Sequence, residues 1–247
     1  EKYPNCIVVF GGQGTPKSDK ISNFFVQHPY IDIAVQGEGE ITFKEILLEN
    51  LKEPPNFKNI PGITINGDKF ITTSSRPRIK DIDSMPSPYL DGLFDSLIKI
   101  KDHTYEFEAT IESVRGCPYQ CTFCNSPIQV VLAKEKKQGV YTRRKSMDTL
   151  RLELETMVER YNPNFLYIND DAFMARPKRE VKEFAEMYKD FKLPFWCQTR
   201  FEDIDEEKIE WLREVGLYRM SFGLEHGNEE FRRKRLYRRI KNETMIE

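Results

Sequence analysis

Three cysteines, Cys117, Cys121 and Cys124, stand within eight residues in the stretch Arg115-Gly116-Cys117-Pro118-Tyr119-Gln120-Cys121-Thr122-Phe123-Cys124-Asn125. Thiolates are soft ligands that suit zinc or iron–sulfur. Spaced four and three apart, the three can converge on one metal centre from a single loop. In a four-iron cubane, three thiolate ligands leave one iron open, and an open iron can bind and reduce a small molecule. The competing chemistry is a tetrahedral zinc, which needs a fourth ligand. Cys197, His103 and His226 are the remote candidates for it, apart from His28 and Cys6. Cys6 and Cys197 fit better as small buried apolar residues, and Cys197 sits on a strand-like run beside Trp196. Five cysteines with three in one cluster do not read as a disulfide scaffold, so a reducing cytosol, a cytoplasmic setting, is expected.

Such a loop needs a scaffold, and the flanking sequence predicts one. Ala109–Val114 reads as a strand that delivers the chain to the cysteines. Ser146 is placed to cap a long helix whose apolar face is Met147, Leu150, Leu154, Met157, Val158 and Tyr161. Strand 165–169, helix 178–191, strand 194–199, helix 206–215 ended by Gly216, strand 218–224 and a helix from Glu229 follow. Four repeats of strand then helix predict a parallel barrel or open sheet, with chemistry at the C-terminal strand ends. The cysteine loop, Asn169-Asp170-Asp171, Gln198-Thr199-Arg200 and Glu225-His226-Gly227 all fall there. Read alone, the Asp170-Asp171 pair suits a helix cap as well as a ligand contact. His226 alone suits a hydrogen-bonded structural role.

Upstream, residues 1–52 alternate two strands and two helices. Ile7–Phe10 ends at Gly11-Gly12, Ile21–Gln27 is a helix with Ile21, Phe24 and Phe25 on one face, and Ile31–Val35 ends at Gly37-Glu38-Gly39-Glu40. The helix 42–51 has Phe43, Ile46, Leu47 and Leu51 in period. Residues 53–104 are broken by prolines and read as a linker with a hairpin about Asn66-Gly67. The chain has 247 residues, a net charge of −2 and 39% hydrophobic residues, so one or two globular domains are expected and no global field toward nucleic acid or anionic membrane. No run of about 18 apolar residues forms a membrane span, and the first residues are not expected to be a signal peptide. The first residue is Glu1 and the last residues read as the start of a helix, so both ends are expected to be cuts through a larger protein.

The stretch 115–124, after a strand that opens a βα series, resembles the CxxxCxxC signature of radical SAM enzymes, in residue types as well as spacing. The resemblance implies that Cys117, Cys121 and Cys124 ligate a [4Fe–4S] cluster whose open iron chelates S-adenosylmethionine. Reduction by an external flavodoxin- or ferredoxin-type donor would then give methionine and a 5′-deoxyadenosyl radical. It further implies cofactor contacts from Tyr119 and Phe123 (the latter against the adenine), from Asn169, Asp170 and Asp171, and from Gln198, Arg200 (facing a carboxylate) and Glu225. Gly223–Glu230 resembles the G-x-E-x-G-x-E-E strand end of the subgroup with cobalamin domains. Gly11, Gly12, Gly37 and Glu38 resemble the last part of such a cobalamin-binding domain, near the nucleotide tail. The base-off cobalamin motif Asp-x-His-x-x-Gly is not in this chain. The fold class implied is α/β: a partial (β/α) radical SAM barrel over 105–247, preceded by the C-terminal part of a Rossmann-like cobalamin-binding domain.

Two points bear on the substrate. Arg232, Arg233, Lys234, Arg235, Arg238, Arg239 and Lys241 put seven cations in ten residues. Acidic flanks at Glu229, Glu230 and Glu243, and no interleaved aromatic platform, make this a solvated helix face rather than a nucleic-acid surface. A small-molecule substrate is expected, with cobalamin-dependent methyl transfer as the leading reaction. A ring-forming cyclase resembling the anaerobic magnesium-protoporphyrin ester cyclases, a tRNA methylthiotransferase and a non-catalytic zinc module are the alternatives. The methylthiotransferases carry three further N-terminal cysteines, whereas only Cys6 stands there in this chain.

Overall fold

The computed structural model describes residues 6–16, 20–98, 108–135 and 137–246. They fall into two compact units, Glu1–Ile79 with Val130–Val140 and Lys80–Gln129 with Tyr141–Glu247. In the first unit, β1 (Val9–Phe10) and β2 (Ile33–Val35) are parallel and joined by α1 (Ile21–Gln27), and α2 (Glu40–Asn50) follows. β3 (Ile63–Ile65) pairs antiparallel with β2, and β4 (Ile71–Thr72) with β3, giving the order β1-β2-β3-β4. The expected hairpin therefore forms, but as part of this sheet. Its turn is longer than an Asn-Gly pair because Asn66 is tied to the chain entering β2. The Asn66 amide donates to Asp32 O and its Nδ2 to Ile31 O, each at 2.8 Å.

The face of α2 that packs is not the one its periodicity suggests. Phe43, Leu47 and Leu51 are exposed, while Thr42 and Ile46 are buried. Ile46 joins Ile33, Val35, Ile60 and Ile63, so the narrow i, i+4 stripe Thr42–Ile46 meets the sheet. Cys6 is also exposed, contrary to expectation, because β1 begins only at Val9.

In the second unit, α3 (Asp95–Ile98) precedes β5 (Glu108–Ile111). The predicted strand 109–114 is split: β5 stops at Ile111, and β6 (Val114–Arg115) turns aside. α4 (Ser126–Glu135) comes next, its first four residues in this unit and the rest in the first, and then β7 (Arg143–Arg144), which pairs antiparallel with β6. Helix and strand then alternate through α5 (Met147–Tyr161), β8 (Phe165–Ile168), α6 (Lys178–Tyr188), β9 (Phe195–Thr199), α7 (Glu206–Val215), β10 (Leu217–Phe222), α8 (Glu229–Arg235) and α9 (Asn242–Ile246). β5, β8, β9 and β10 are all parallel, in the order β10-β9-β8-β5.

One face of this sheet is the core. Ala109, Ile111, Leu166, Ile168, Phe195 and Cys197 meet Leu150, Leu154 and Met157 of α5, Val181, Phe184 and Tyr188 of α6, and Leu212 of α7. Each such large side chain contributes about 1.5–3 kcal/mol by leaving water. The other residues of the strands, among them Thr110, Tyr167, Trp196 and Gln198, point to the opposite face by the period of two. Ser146 caps α5 as expected, its Oγ accepting from the Thr149 amide at 3.1 Å. Gly216 ends α7 at φ +124, where an added Cβ would lie 2.7 Å from Leu193 O. Among the described residues no helix is long and apolar enough to cross a membrane.

Candidate active site

The four parallel strands end at one edge, and the residues that follow them close around a cavity of about 340 Å³. Cys117, Cys121 and Cys124 line it together with Tyr119, Phe123, Ser126, Asp171, Gln198, Thr199, Arg200, Gly223, Glu225 and Arg238. Most of the polar groups that the sequence places at strand ends thus share one cavity with the thiols. Among the described residues, no three His, Cys, Asp or Glu side chains are already drawn into metal-holding geometry. His103 lies outside the described residues.

The cysteine loop is shaped from both sides. Gly116 has φ +95, and a Cβ there would lie 2.7 Å from Tyr141 O. Gly116→Ala is therefore expected to cost at least about 1–3 kcal/mol from the left-handed backbone alone. A denaturant titration measures this, and metal uptake should fall with it because the strained residue directly precedes Cys117. At the other side, Tyr119 donates its hydroxyl to Asp203, and the Arg200 guanidinium stacks over the Tyr119 ring at 3.7 Å. Arg200 also pairs with Glu202, Nε to Oε2 at 3.2 Å, and its Nη1 stands 3.7 Å from Cys121 Sγ. So Arg200, expected to face a ligand carboxylate, is held by Glu202 and clamps the loop.

Asp170 is not a cavity residue. It is fully buried, and its carboxylate accepts from Ser113 N at 2.7 Å, Val114 N at 2.8 Å, the Ser113 hydroxyl, and Arg176 Nη2 at 2.7 Å. This cluster ties the end of β8 to the chain leaving β5, which is why the predicted strand breaks at Ser113. Asn169 is exposed and does not line the cavity; its amide continues the ladder by donating to Ile111 O at 2.8 Å. Of the predicted triple, only Asp171 reaches the cavity. Partial burial, and then the Asp170 charge, hold its carboxyl above the usual range.

The basic run is the solvated face expected at five of its seven cations, but not at Arg232 and Arg238. Arg233 and Lys234 do pair with Glu229 and Glu230, at 3.2 and 2.7 Å. Arg232, however, is fully buried, donating to His226 O, Ile240 O and Asn242 Oδ1 at 2.8–3.0 Å. α8 ends at Arg235, Tyr237 takes φ +54, and the reversal brings the buried Arg238 back to the cysteine cavity. No feature of the sequence marks Tyr237 as a left-handed residue. His226 has the structural role expected, its Nδ1 accepting from the Asn228 amide at 3.0 Å.

In the first unit, Gly11-Gly12 and Gly37 follow the adjacent parallel strands β1 and β2. Gly12 and Gly37 both have φ +85, with nothing within 4 Å of an added Cβ. Open, glycine-lined strand ends let backbone approach a ligand. Glu38, grouped with them by sequence, accepts from Ile79 N at 2.9 Å and lies 3.8 Å from Arg78, so it serves the fold.

The thiols themselves suit a cationic metal centre. The Cys117 thiol is pushed up to about 11, first by burial and then by the negative charges of Asp171, Cys121 and Cys124. Three thiolates crowded without a cation repel one another, and a bound metal reverses that balance. Cys197 differs: it is buried in the core, its thiol raised to about 12 chiefly by burial, and it does not line the cavity.

Residues 111–247 match the sequence profile of the radical SAM superfamily, more than half of the chain. The chain belongs to the radical SAM superfamily. Among its relatives is the cobalamin-dependent radical SAM methyltransferase TokK of Streptomyces tokunonensis, 38% identical over 127 residues. That alignment covers 51% of this chain and 18% of TokK. The anaerobic magnesium-protoporphyrin IX monomethyl ester cyclase of Cereibacter sphaeroides is 27% identical over 245 residues, covering 91% of this chain and 36% of the cyclase. The chain thus spans well under half the length of both. The fold is also that of the radical SAM enzyme OxsB, solved with aqua-cobalamin and S-adenosylmethionine: TM-score 0.68 at 20% identity, over 97% of this chain and 34% of OxsB. The parallel strands expected from the strand-helix repeats, as a barrel or an open sheet, are found as one parallel sheet, and the partial radical SAM barrel implied by the resemblance agrees with this fold.

Proposed function

We propose that Cys117, Cys121 and Cys124 hold a [4Fe–4S] cluster and that the cavity they share binds S-adenosylmethionine. The observation that carries this reading is the convergence of three thiols and the polar ends of parallel strands on one cavity, in a radical SAM chain. When bound and reduced, the cluster supplies the electron that splits S-adenosylmethionine into methionine and a 5′-deoxyadenosyl radical. The chain's own residues position the reactants. Asp171, Gln198 and Glu225 offer acceptors and donors along the cavity wall, and the exposed Phe123 offers an apolar face for the adenine. Tyr119, Asp203 and Arg200 hold the loop rigid, as the cofactor's chemistry requires of the protein.

The radical serves cobalamin-dependent methyl transfer to a small molecule in this reading, with the open strand ends at Gly11-Gly12 and Gly37 as the chain's share of the corrinoid site. TokK, by name a cobalamin-dependent radical SAM methyltransferase, supports the methyl transfer, and OxsB, solved with aqua-cobalamin, supports the corrinoid alone. Ring formation is the second reading, favoured by the cyclase alignment across 91% of the chain. The test is anaerobic reconstitution of the full-length protein. About four irons and four sulfides per chain are expected, together with a bound corrinoid seen in the visible spectrum. One zinc and no sulfide would contradict the cluster. A full cluster without corrinoid would remove methyl transfer and leave ring formation.

A further inference from the structure

Arg238 stands out among the cavity residues because it is buried without a salt bridge: the nearby Glu202 carboxylate feels its charge but is bonded to Arg200. It is 5% exposed, and among the described residues it makes no ion pair. One guanidinium nitrogen, Nη2, donates to Gly223 O, while Nη1 stands 3.9 Å from Cys121 Sγ. Its Nε is buried with no hydrogen-bond partner. Arg200 approaches the same sulfur, but Glu202 neutralises it. A buried, unpaired guanidinium is costly unless an anion completes its surroundings. A four-iron cluster with three thiolates is such an anion, carrying one net negative charge when oxidised and two when reduced.

We propose that Arg238 is a positioning residue for reduction: its charge, acting through Cys121, favours the reduced cluster and raises its midpoint potential. The inference rests on the cluster reading above. The step is a one-electron transfer in which an external flavodoxin- or ferredoxin-type donor is oxidised and the cluster is reduced. No bond forms or breaks at Arg238, and no proton moves there. Net charge and hydrogen bonds to the sulfurs are among the factors that set such potentials. The left-handed turn at Tyr237 returns Arg238 to Cys121.

The test is a redox titration of the reconstituted full-length protein, followed by electron paramagnetic resonance. Arg238→Gln is expected to leave about tenfold less cluster reduced at a fixed potential, a fall of about 59 mV for one electron. Arg238→Lys, which keeps the charge, should stay within about threefold of the parent. A fully loaded Arg238→Gln protein with the parent's potential would overturn the inference while leaving the cluster in place. A parent that holds no four-iron cluster would overturn the underlying reading instead. If Arg238→Gln takes up no iron, nitrogen-15-labelled arginine in an Arg200→Lys protein decides. Nitrogen coupling to the reduced cluster supports the inference, and its absence contradicts it.

Discussion

Alanine at any one of Cys117, Cys121 and Cys124 is expected to abolish the cluster and to lower S-adenosylmethionine cleavage by at least about 10³-fold, roughly 4 kcal/mol of barrier. The three thiols line a single cavity, and the loop that carries them is fixed at Gly116, Tyr119 and Cys121 by separate contacts. Among the described residues no other cysteine lines the cavity. Cys197 is locked in the core away from the cavity, and Cys6 precedes the sheet of the other unit. Iron and sulfide content measures the effect directly. Cys197→Ala should retain the full iron content, with a loss of stability only. Equal iron loss in Cys197→Ala and the three loop variants would show that the ligand set has been misassigned.

Asp170→Ala is expected to lower unfolding stability by roughly 3–5 kcal/mol, the cost of leaving a buried charge unpaired. Arg176 would be the uncompensated group. It is 4% exposed, and its other bonds run to Phe173 O and Ser113 Oγ, neither of which carries charge. The amides of Ser113 and Val114 lose their acceptor at the same time, so the cysteine loop loses its root on β5. Iron uptake should fall along with the denaturation midpoint. Asp171→Ala, one residue on, should leave stability within about 0.5 kcal/mol because its carboxylate makes no hydrogen bond or ion pair among the described residues, and should act on ligand binding instead. Equal stability of the two variants would contradict the division of labour between them.

That pair of aspartates shows where sequence reasoning stops. Adjacent acids at a strand end read alike, and only the three-dimensional return of Ser113 and Arg176 separates the buried one from the cavity one. The strand-helix repeats and the caps at Ser146 and Gly216 were legible because local chemistry decides them. The bounds of α1 and α7 follow the pattern to the residue. The packed face of α2 was not legible, because tertiary contact selected Thr42 and Ile46 over a more apolar stripe. Arg238 was hidden for a related reason. A run of cations reads as one helix face, yet the chain reverses within it and buries two of them. The cysteine loop needed no such help, since its function lies in spacing that a short segment carries by itself.

The most direct measurement of the central claim is product formation by the full-length protein, anaerobically reconstituted and supplied with S-adenosylmethionine and dithionite. 5′-Deoxyadenosine and methionine are expected in equal amounts from the parent, and neither above background from Cys117→Ala, Cys121→Ala or Cys124→Ala. A fully loaded parent that forms no 5′-deoxyadenosine, or three variants that form it as fast as the parent, would contradict the account.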